Sequence, residues 1–375
     1  MNIKRRGFIG LSAAGIAAIT LAACGDDATP TASTSADGSA DPGTGAGKRV
    51  GVAMPTQTSE RWIADGEAVK SQLEEAGFEV DLQFANDDIP TQSQQIDNMI
   101  TQGANVLIVA AIDGTALAPQ LENAAANDIK VISYDRLIRD TENIDFYVTF
   151  DNFKVGVAQG TSLLEGLEKN FEAPYNVELF AGSLDDNNAF FFFNGAMSVL
   201  QPKIDSGDIV VKSGQTKIEQ AAILRWQQET AQRRMDDLVT ANYGSDKVHG
   251  VLSPYDGISR GIITSLQNNG YEGDTFPIVT GQDAEIASVK LIVDGIQYST
   301  IFKDTRDLAT EAVRVATDLL GGKEPEANDT ETYDNGVKVV PSYLLDVVTV
   351  TADNVTEALI DTGYWTQEQV DSGVA

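Results

Sequence analysis

Cysteine and histidine are almost absent from this chain of 375 residues, and their scarcity excludes several kinds of chemistry. Cys24 is the only cysteine, so no disulfide can form within the chain and the fold must depend on a hydrophobic core. His249 is the only histidine, and it enters an apolar, strand-like segment where a structural role is expected. A Ser-His-Asp triad could therefore be built only around His249. We expect no metal site and no cofactor.

Positive charge is also scarce. The chain has 26 Lys and Arg residues against 56 Asp and Glu residues, which gives a formal net charge of −30. Such a surface repels nucleic acid and anionic lipid headgroups, so we expect no nucleic-acid partner. The acidic residues are scattered rather than grouped in blocks, which is typical of a soluble, non-aggregating surface.

Long apolar runs are missing except near the start of the chain. Residues 7–23 are apolar, follow the basic residues 4–6 and end in small residues, which predicts an export signal. Leu-Ala-Ala-Cys, which ends at Cys24, resembles a bacterial lipobox, in which the thiol is acylated and the chain is cut before it. Residues 5–9 resemble a twin-arginine export motif. The general secretory route and an uncleaved N-terminal anchor are the alternatives.

These features predict how the protein is held in place. Residues 1–23 would be a lipoprotein signal peptide, Cys24 the lipidation site and residues 24–47 a flexible tether. Residues 25–47 contain no large apolar side chain, so they cannot bury enough surface to offset their ordering entropy. We expect an extracytoplasmic protein that is anchored to the bacterial cell membrane through its N-terminal lipid only.

The remaining chain alternates between two kinds of pattern. Four short apolar runs between residues 50 and 134 have the composition of buried parallel strands, and segments of helical spacing separate them. This alternation predicts an α/β fold with a doubly wound parallel sheet. It restarts near residue 146 and predicts a second α/β unit of similar size. Two such units in tandem leave a cleft between two Rossmann-like lobes.

Polar side chains recur where the predicted strands end, and this is where loops of parallel sheets converge on a ligand. Arg, Asp and Asn offer paired donors or acceptors to neighbouring hydroxyls, and a Trp ring suits the C–H face of a pyranose. Each residue alone also fits a helix cap, the core or the surface, but together they predict a neutral, hydroxyl-rich ligand. The residues are Arg61, Trp62, Asp135, Arg136, Asn188, Asp256, Asp283 and Lys303.

Ordered motifs extend over residues 49–369. They are Glu-Arg-Trp at 60–62, Gln-Ile-Asp-Asn-Met-Ile at 95–100, Ser-Tyr-Asp-Arg at 133–136, Phe-Asp-Asn-Phe-Lys-Val-Gly at 150–156, Asp-Asn-Asn-Ala at 186–189, Gly-Gln-Asp-Ala at 281–284 and Pro-Ser-Tyr-Leu-Leu at 341–345. Together they resemble the bacterial extracytoplasmic receptors for monosaccharides, in the branch of D-xylose-binding proteins and multiple-sugar receptors. The resemblance implies a type I periplasmic binding fold, with two lobes joined by three crossovers.

The resemblance also implies lobe boundaries and residue roles. The N-terminal lobe would comprise residues 48–149 and 304–341, and the C-terminal lobe residues 150–303 and 342–375. The implied roles are hydrogen-bond donation by Arg61, Arg136 and Lys303, acceptance by Asp135, Asp256 and Asp283, both by Asn188, and ring stacking by Trp62 and Trp226.

Two departures from the D-xylose-binding pattern favour the multiple-sugar receptors. Tyr255 stands where xylose binders carry Asn, and residues 216–226 are longer than in those proteins, which makes the placement of Trp226 less secure. We also expect one member of the aromatic run at residues 190–193 to line the cleft, because its members cannot all face one way on a helix.

The predicted function is capture of a monosaccharide of the xylose, arabinose, glucose or galactose type by hinge closure, and its delivery to an ABC permease. We expect a monomer that is not an enzyme, with a sensor kinase or chemoreceptor as a further candidate partner. The alternative is a carbohydrate hydrolase that uses two cleft carboxylates, which requires an acid and a base flanking a glycosidic bond. The mixture of Arg, Asn and Trp with these carboxylates favours holding hydroxyls over protonating a leaving group.

Overall fold

The computed structural model of the chain describes residues 45–273 and 276–375. The predicted signal peptide at 1–23, the predicted lipidation site Cys24 and the tether up to residue 44 lie outside the described residues. Within the described part, no helix is both long and apolar enough to cross a membrane.

A six-stranded parallel sheet forms the centre of the first lobe, with strand order β11-β5-β4-β3-β1-β2. Its four central strands are buried on both faces, as the continuous apolar runs of the sequence require, whereas most residues of the two edge strands are only partly buried. The elements of this lobe are β1 (Arg49–Met54), α1 (Glu60–Glu75), β2 (Glu79–Phe84), α2 (Ile89–Thr101), β3 (Val106–Val109), α3 (Ala118–Ala126), β4 (Lys130–Tyr134), β5 (Phe146–Phe150), α10 (Thr305–Leu320) and β11 (Ser342–Leu345).

Local sequence explains how the helices of this lobe begin and pack. The Asp88 side chain caps α2 by accepting from the Thr91 N–H, and Pro90 occupies the first turn. Val50 and Val52 pack with α1 and α10 on one face of the sheet, whereas Leu107 faces the other side, towards α2 and α3. The sheet is therefore covered by helices on both faces.

The second lobe has a four-stranded parallel sheet in the order β7-β6-β8-β9, and β10 and β12 form an antiparallel pair beside it. A single bridge between Gln282 and Ile301 connects the two. The elements are α4 (Asn152–Asn170), β6 (Tyr175–Leu179), α5 (Asn187–Ser206), β7 (Ile209–Val210), α6 (Ile218–Ala221), α7 (Gln228–Asn242), β8 (Gly250–Leu252), α8 (Asp256–Asn268), β9 (Ile278–Val279), α9 (Ile286–Val293), β10 (Ser299–Phe302), β12 (Val348–Thr351) and α11 (Gln367–Ser372).

The chain passes between the two lobes three times: from β5 to α4, from β10 to α10 and from β11 to β12. The first and third passages are neighbours, because Phe150 pairs with Leu345 and the Asp151 N–H donates to the Leu345 carbonyl at 3.0 Å. Two α/β lobes joined by three crossovers confirm the predicted type I periplasmic binding fold.

One predicted lobe boundary needs correction. The resemblance places residues 342–375 in the C-terminal lobe, but residues 342–345 form β11, which pairs in parallel with β5 in the sheet of the first lobe. Residues 342–351 contain two strands, β11 and β12, that belong to different sheets. The third crossover therefore follows residue 345. A continuous apolar pattern cannot show that its two halves pair with different partners.

Candidate functional site

A cavity of about 290 Å³ lies between the lobes, and both lobes contribute to its wall. It lies at the carboxyl ends of the parallel strands, where loops lead into helices. Its lining includes Ser59, Arg61, Trp62, Asp87, Asp135, Arg136, Asp186, Asn188, Phe192, Arg225, Trp226, Glu229, Tyr255, Arg260, Gln282, Asp283 and Lys303. Eight of the nine residues predicted to bind sugar are among them.

Backbone turns aim two carboxylates at this cavity. Asp135 follows β4 with φ of 57°, and Asp283 follows β9 with φ of 90°; Asp adopts this left-handed region more readily than most residues. The Asp135 N–H donates to the Val148 carbonyl at 2.8 Å, and the Asp283 N–H donates to the Ile301 carbonyl at 2.9 Å. Each carboxylate is therefore held by sheet-like pairing of its own backbone.

Five buried charged residues form a network at the inner end of the cavity. Arg61 contacts three carboxylates: Nε lies 2.8 Å from Asp65 Oδ2, Nη2 bonds Asp135, and Nη1 lies 3.6 Å from Asp283 Oδ1. Lys303 Nζ lies 3.1 Å from Asp283 and 3.8 Å from Asp135. Arg61 and Asp135 belong to the first lobe and Asp283 to the second, so the network crosses the cleft.

Burial and the charges of the network shift the pKa of two carboxylates, Asp135 and Asp65. Burial alone would raise the pKa of Asp135, but the charges of Arg61 and Lys303 outweigh it and lower this pKa to about 2. Asp135 is therefore an ionised acceptor at neutral pH. Burial raises the pKa of Asp65 to about 6, although Arg61 opposes the shift. Asp65 Oδ1 accepts a hydrogen bond from the Tyr134 hydroxyl, and Asp65 Oδ2 accepts one from Arg61 Nε, which fixes the position of Arg61.

Trp62 is buried beneath two guanidinium groups. The ring centre lies 4.7 Å from the Arg61 guanidinium carbon and 5.0 Å from that of Arg136. Arg136 in turn pairs with Asp186 of the second lobe, with Nε 3.0 Å from Oδ2. The orientation of the Trp62 ring is thus set by charged neighbours on the cavity wall.

Protein groups take up most of the hydrogen-bonding capacity of the Asn188 side-chain amide. Its Nδ2 donates to the Asp135 carbonyl at 2.8 Å, and its Oδ1 accepts from the Tyr147 hydroxyl and from Asn152 Nδ2, both at 3.1 Å. Asn188 lies in the first turn of α5 in the second lobe, whereas Asp135 and Tyr147 belong to the first. The residue therefore bridges the lobes at the cavity wall.

Three aromatic rings form the wall of the second lobe. Trp226 meets Phe192 at a centroid distance of 6.3 Å and Tyr255 at 6.2 Å, both edge to face. Phe192 is thus the member of the aromatic run that lines the cleft. Arg225 and Trp226 both have positive φ, which turns the chain so that both side chains reach the cavity. A Cβ at Gly182 would lie 2.0 Å from the Trp226 ring, so only glycine fits there.

Several lining residues carry buried polar atoms that form no hydrogen bond. They are Arg225 Nη1, Trp226 Nε1, Gln282 Oε1 and Asp283 Oδ1. Arg225 and Asp283 have ion-pair neighbours in Asp185 and Lys303, but Trp226 Nε1 and Gln282 Oε1 have neither kind of partner. An unsatisfied buried polar group costs about 1–3 kcal/mol, so a polar guest that supplies partners is favoured.

The charges of the lining balance. Five side chains are cationic and five are anionic, which suits a neutral guest better than an ion. The cations are Arg61, Arg136, Arg225, Arg260 and Lys303, and the anions are Asp87, Asp135, Asp186, Glu229 and Asp283. Among the described residues, no group of three or more His, Cys, Asp or Glu side chains could hold a metal ion.

Asp256 is the predicted site residue that does not line the cavity. Its carboxylate is fully buried and accepts from Gln297 Nε2 at 2.8 Å, from the Glu285 N–H at 2.9 Å and from Thr300 Oγ1 at 3.1 Å. These bonds turn the carboxylate into the second lobe, which argues against the predicted contact with sugar. Tyr255, one residue earlier, lines the cavity instead.

Sequence reasoning also missed some lining residues. Asp87 follows β2, so the strand-end rule could have found it, and Gln282 adjoins the predicted Asp283. Arg225 lies in the long segment at 216–226, where no periodic pattern indicates direction. Arg260 lies one turn into α8, and only the folded helix shows that its side chain reaches the cavity.

Comparison with known proteins gives a consistent assignment. Residues 50–324 match the model of the periplasmic binding protein domain. The multiple sugar-binding periplasmic receptor ChvE of Rhizobium radiobacter is 56% identical over 324 residues, covering 86% of this chain and 92% of that protein. The D-xylose-binding periplasmic protein of Escherichia coli K12 is 35% identical over 322 residues, covering 86% and 92% respectively.

A solved structure gives the same result. The solute-binding protein of an ABC transporter from Clostridium phytofermentans, with bound β-D-glucose, superposes with a TM-score of 0.83 at 46% identity. The match covers 86% of this chain and all of that one, 100%. The resemblance seen in the sequence motifs is therefore confirmed. The chain belongs to the periplasmic binding protein family, in the branch of the multiple-sugar and D-xylose receptors, which are sugar-binding transport receptors rather than enzymes.

Proposed function

We propose that this protein captures a single neutral monosaccharide between its lobes and delivers it to the permease of an ABC importer. The observation that carries the proposal is the interlobe cavity, whose charges balance and whose walls hold buried polar atoms without hydrogen-bond partners. A sugar has several hydroxyls, each able to donate and to accept, so it supplies those partners without adding charge.

The residues that line the cavity support the following proposed contacts. Asp135 and Asp283 accept from sugar hydroxyls, and Arg61, Arg136 and Lys303 donate to sugar oxygens. Asn188 contributes less than predicted, because most of its amide is already bonded. Trp62 from one lobe and Trp226 from the other offer ring faces to the pyranose C–H groups.

We propose D-glucose as the first candidate ligand and D-xylose as the second. The relative at 46% identity holds β-D-glucose, and the relative at 56% identity is named for binding several sugars. D-xylose is D-glucose without the C6 hydroxymethyl group. A site that accepts both needs contacts to the shared ring hydroxyls and room for the extra carbon.

The pair of carboxylates at Asp135 and Asp283 suits binding better than hydrolysis. Asp135 and Asp283 lie beside Arg61 and Lys303, and the pKa of Asp135 is held at about 2. A glycosidase needs one carboxylic acid that is protonated at working pH. The relatives are receptors of sugar transport, which agrees with a binding role.

A thermal-shift screen tests the proposed ligand class. D-glucose, D-xylose, L-arabinose and D-galactose are added in turn to the purified protein, with sodium sulfate as an ionic control. A ligand that binds only the folded state raises the melting temperature, so we expect a rise with D-glucose and D-xylose and none with sulfate. The sugar should be recovered unchanged after incubation. No shift with any sugar, or recovery of a hydrolysed or oxidised product, would contradict the proposal.

We further propose that the protein is anchored by a lipid at Cys24. The Leu-Ala-Ala-Cys sequence after one apolar run supports it. Cys24→Ser removes the thiol that would be acylated, so the variant should leave the membrane fraction or stay uncleaved. The test is fractionation of cells that express either form. A correctly cut Cys24→Ser protein that stays on membranes would rule the anchor out.

A further inference from the structure

The first turns of two helices face each other across the cleft. Ser59 precedes α1 of the first lobe, and Glu285 precedes α9 of the second. The first N–H groups of a helix have no partner within it, and the residue before the helix commonly supplies one. Neither Ser59 nor Glu285 caps its own helix through its side chain. Both side chains are therefore available to the opposite lobe.

The two helix starts exchange hydrogen bonds across the cleft. Ser59 Oγ donates to Glu285 Oε1 at 2.7 Å, and the Ile286 N–H donates to Glu60 Oε2 at 3.0 Å. The first lobe supplies Ser59 and Glu60, and the second supplies Glu285 and Ile286. The pair of bonds can therefore exist only while the lobes are together.

Glu285 also accepts hydrogen bonds from two residues of the cavity wall. The Tyr255 hydroxyl donates to Oε1 at 2.7 Å, and Arg260 Nη2 donates to Oε2 at 2.6 Å. Tyr255 and Arg260 line the cavity, whereas Glu60 and Glu285 do not. One carboxylate, 2% exposed, thus connects the wall of the cavity to the start of the opposite helix.

We propose that Glu60 and Glu285 are positioning residues that prolong the closed, sugar-bound state without touching the sugar. This inference rests on the proposed sugar-binding function. Because the exchange forms only when the lobes meet, its free energy favours the closed state alone. Sugar leaves by way of the open state, so loss of the exchange speeds dissociation much more than it slows association.

Stopped-flow fluorescence with D-glucose tests the role of Glu60, because Trp62 and Trp226 line the cavity and report on binding. Glu60→Ala removes the acceptor of the Ile286 N–H. We expect its dissociation rate constant to rise about tenfold while its association rate constant stays within about twofold of the wild type. Glu60→Gln keeps an acceptor oxygen and should restore most of the loss. Glu67→Ala, at an exposed position on the same helix, is the matched control and should behave as the wild type.

The outcomes separate the two proposals. Equal dissociation rates for Glu60→Ala and Glu67→Ala, in a protein that binds sugar, would overturn the positioning role alone. Equal losses in Glu60→Gln and Glu60→Ala would overturn the assignment of Glu60 as the acceptor for Ile286. A wild-type protein that binds none of the sugars would overturn the proposed function and this inference with it. Ligand-free melting temperatures like that of the wild type show that the variants fold.

Discussion

At the scale of single residues, two buried aspartates on the same lobe differ in what they face. Asp283 lines the cavity beside Lys303, and one of its oxygens has no hydrogen bond. Asp256 is saturated by three donors of its own lobe. Both follow a strand of the same sheet, so the sequence alone could not tell them apart. The difference arises because Asp256 begins a helix, and the first turn of that helix directs its carboxylate inward.

Replacing these two aspartates tests that difference. Asp283→Asn should weaken D-glucose binding by about 2–4 kcal/mol, because it removes a carboxylate acceptor and takes away one of the ion-pair partners of Lys303. Asp256→Asn should instead lower the melting temperature, because its amide nitrogen would face one of the groups that donate to the Asp256 carboxylate. It should change the affinity for D-glucose less than Asp283→Asn does. Calorimetry gives the affinities and thermal unfolding the stabilities. A larger loss of affinity in Asp256→Asn would show that Asp256 contacts the sugar after all.

Asp65 should give folding stability a recognisable pH dependence. Its pKa rises from the usual 3.8 to about 6 in the folded protein, so the folded state binds this proton more tightly than the unfolded state. Its contribution to the free energy of unfolding is therefore largest below about pH 4 and is lost as the pH rises through about 6. The free energy of unfolding of Asp65→Asn, taken relative to that of the wild type, should therefore rise by up to about 2–3 kcal/mol as the pH increases from 4 to 7. Urea unfolding at several pH values measures this, and a constant difference would refute it.

At the scale of elements, the apolar pattern of the sequence predicted the strands and helices well. It did not predict the path of loops whose direction depends on tertiary contacts. β1, β3 and β4 lie where apolar runs predicted strands, because burial on both faces leaves a distinct pattern. The loop carrying Arg225 and Trp226 gave no such pattern. Its two left-handed residues are held by packing of the Trp226 ring against Gly182 and Phe192.

Gly182 should therefore matter to binding although it does not contact the ligand cavity directly. Gly182→Ala places a methyl group 2.0–2.5 Å from ring atoms of Trp226, so the ring must move. We expect at least about tenfold weaker D-glucose binding and a changed tryptophan emission spectrum, since displaced rings lose stacking and repack. Gly321→Ala, whose nearest neighbour would lie at 3.2 Å, is the control and should bind normally. Unchanged affinity in Gly182→Ala would mean that the Trp226 ring does not support the sugar.

At the scale of the whole molecule, the lobes meet through groups that belong to both. Arg136 pairs with Asp186, Arg61 approaches Asp283, and Asn188 bonds the Asp135 carbonyl. Composition and periodicity predicted two lobes and a cleft, but contacts between residues about 50 to 220 positions apart carry no local pattern. The strand-end positions and the family resemblance indicated which residues would gather at the cleft, but not which of them would pair with one another.

Sugar should shift the protein towards a compact state. A ligand favours closure only by as much as it binds the closed state better than the open one, and a sugar touching both lobes does so. Small-angle scattering with saturating D-glucose should show a smaller radius of gyration than the ligand-free protein. Sodium sulfate at equal ionic strength should leave the radius unchanged. The same radius with and without sugar would indicate a rigid binder.

The balance of five cations and five anions around the cavity has a consequence for the environment in which the protein can work. A chain with a formal charge of −30 attracts a dense cloud of counterions, and its encounters with ions depend on salt. A neutral guest entering a neutral cavity exchanges no counterions with that cloud. The affinity for a neutral sugar should therefore change little with ionic strength, although the surface of the protein is strongly charged.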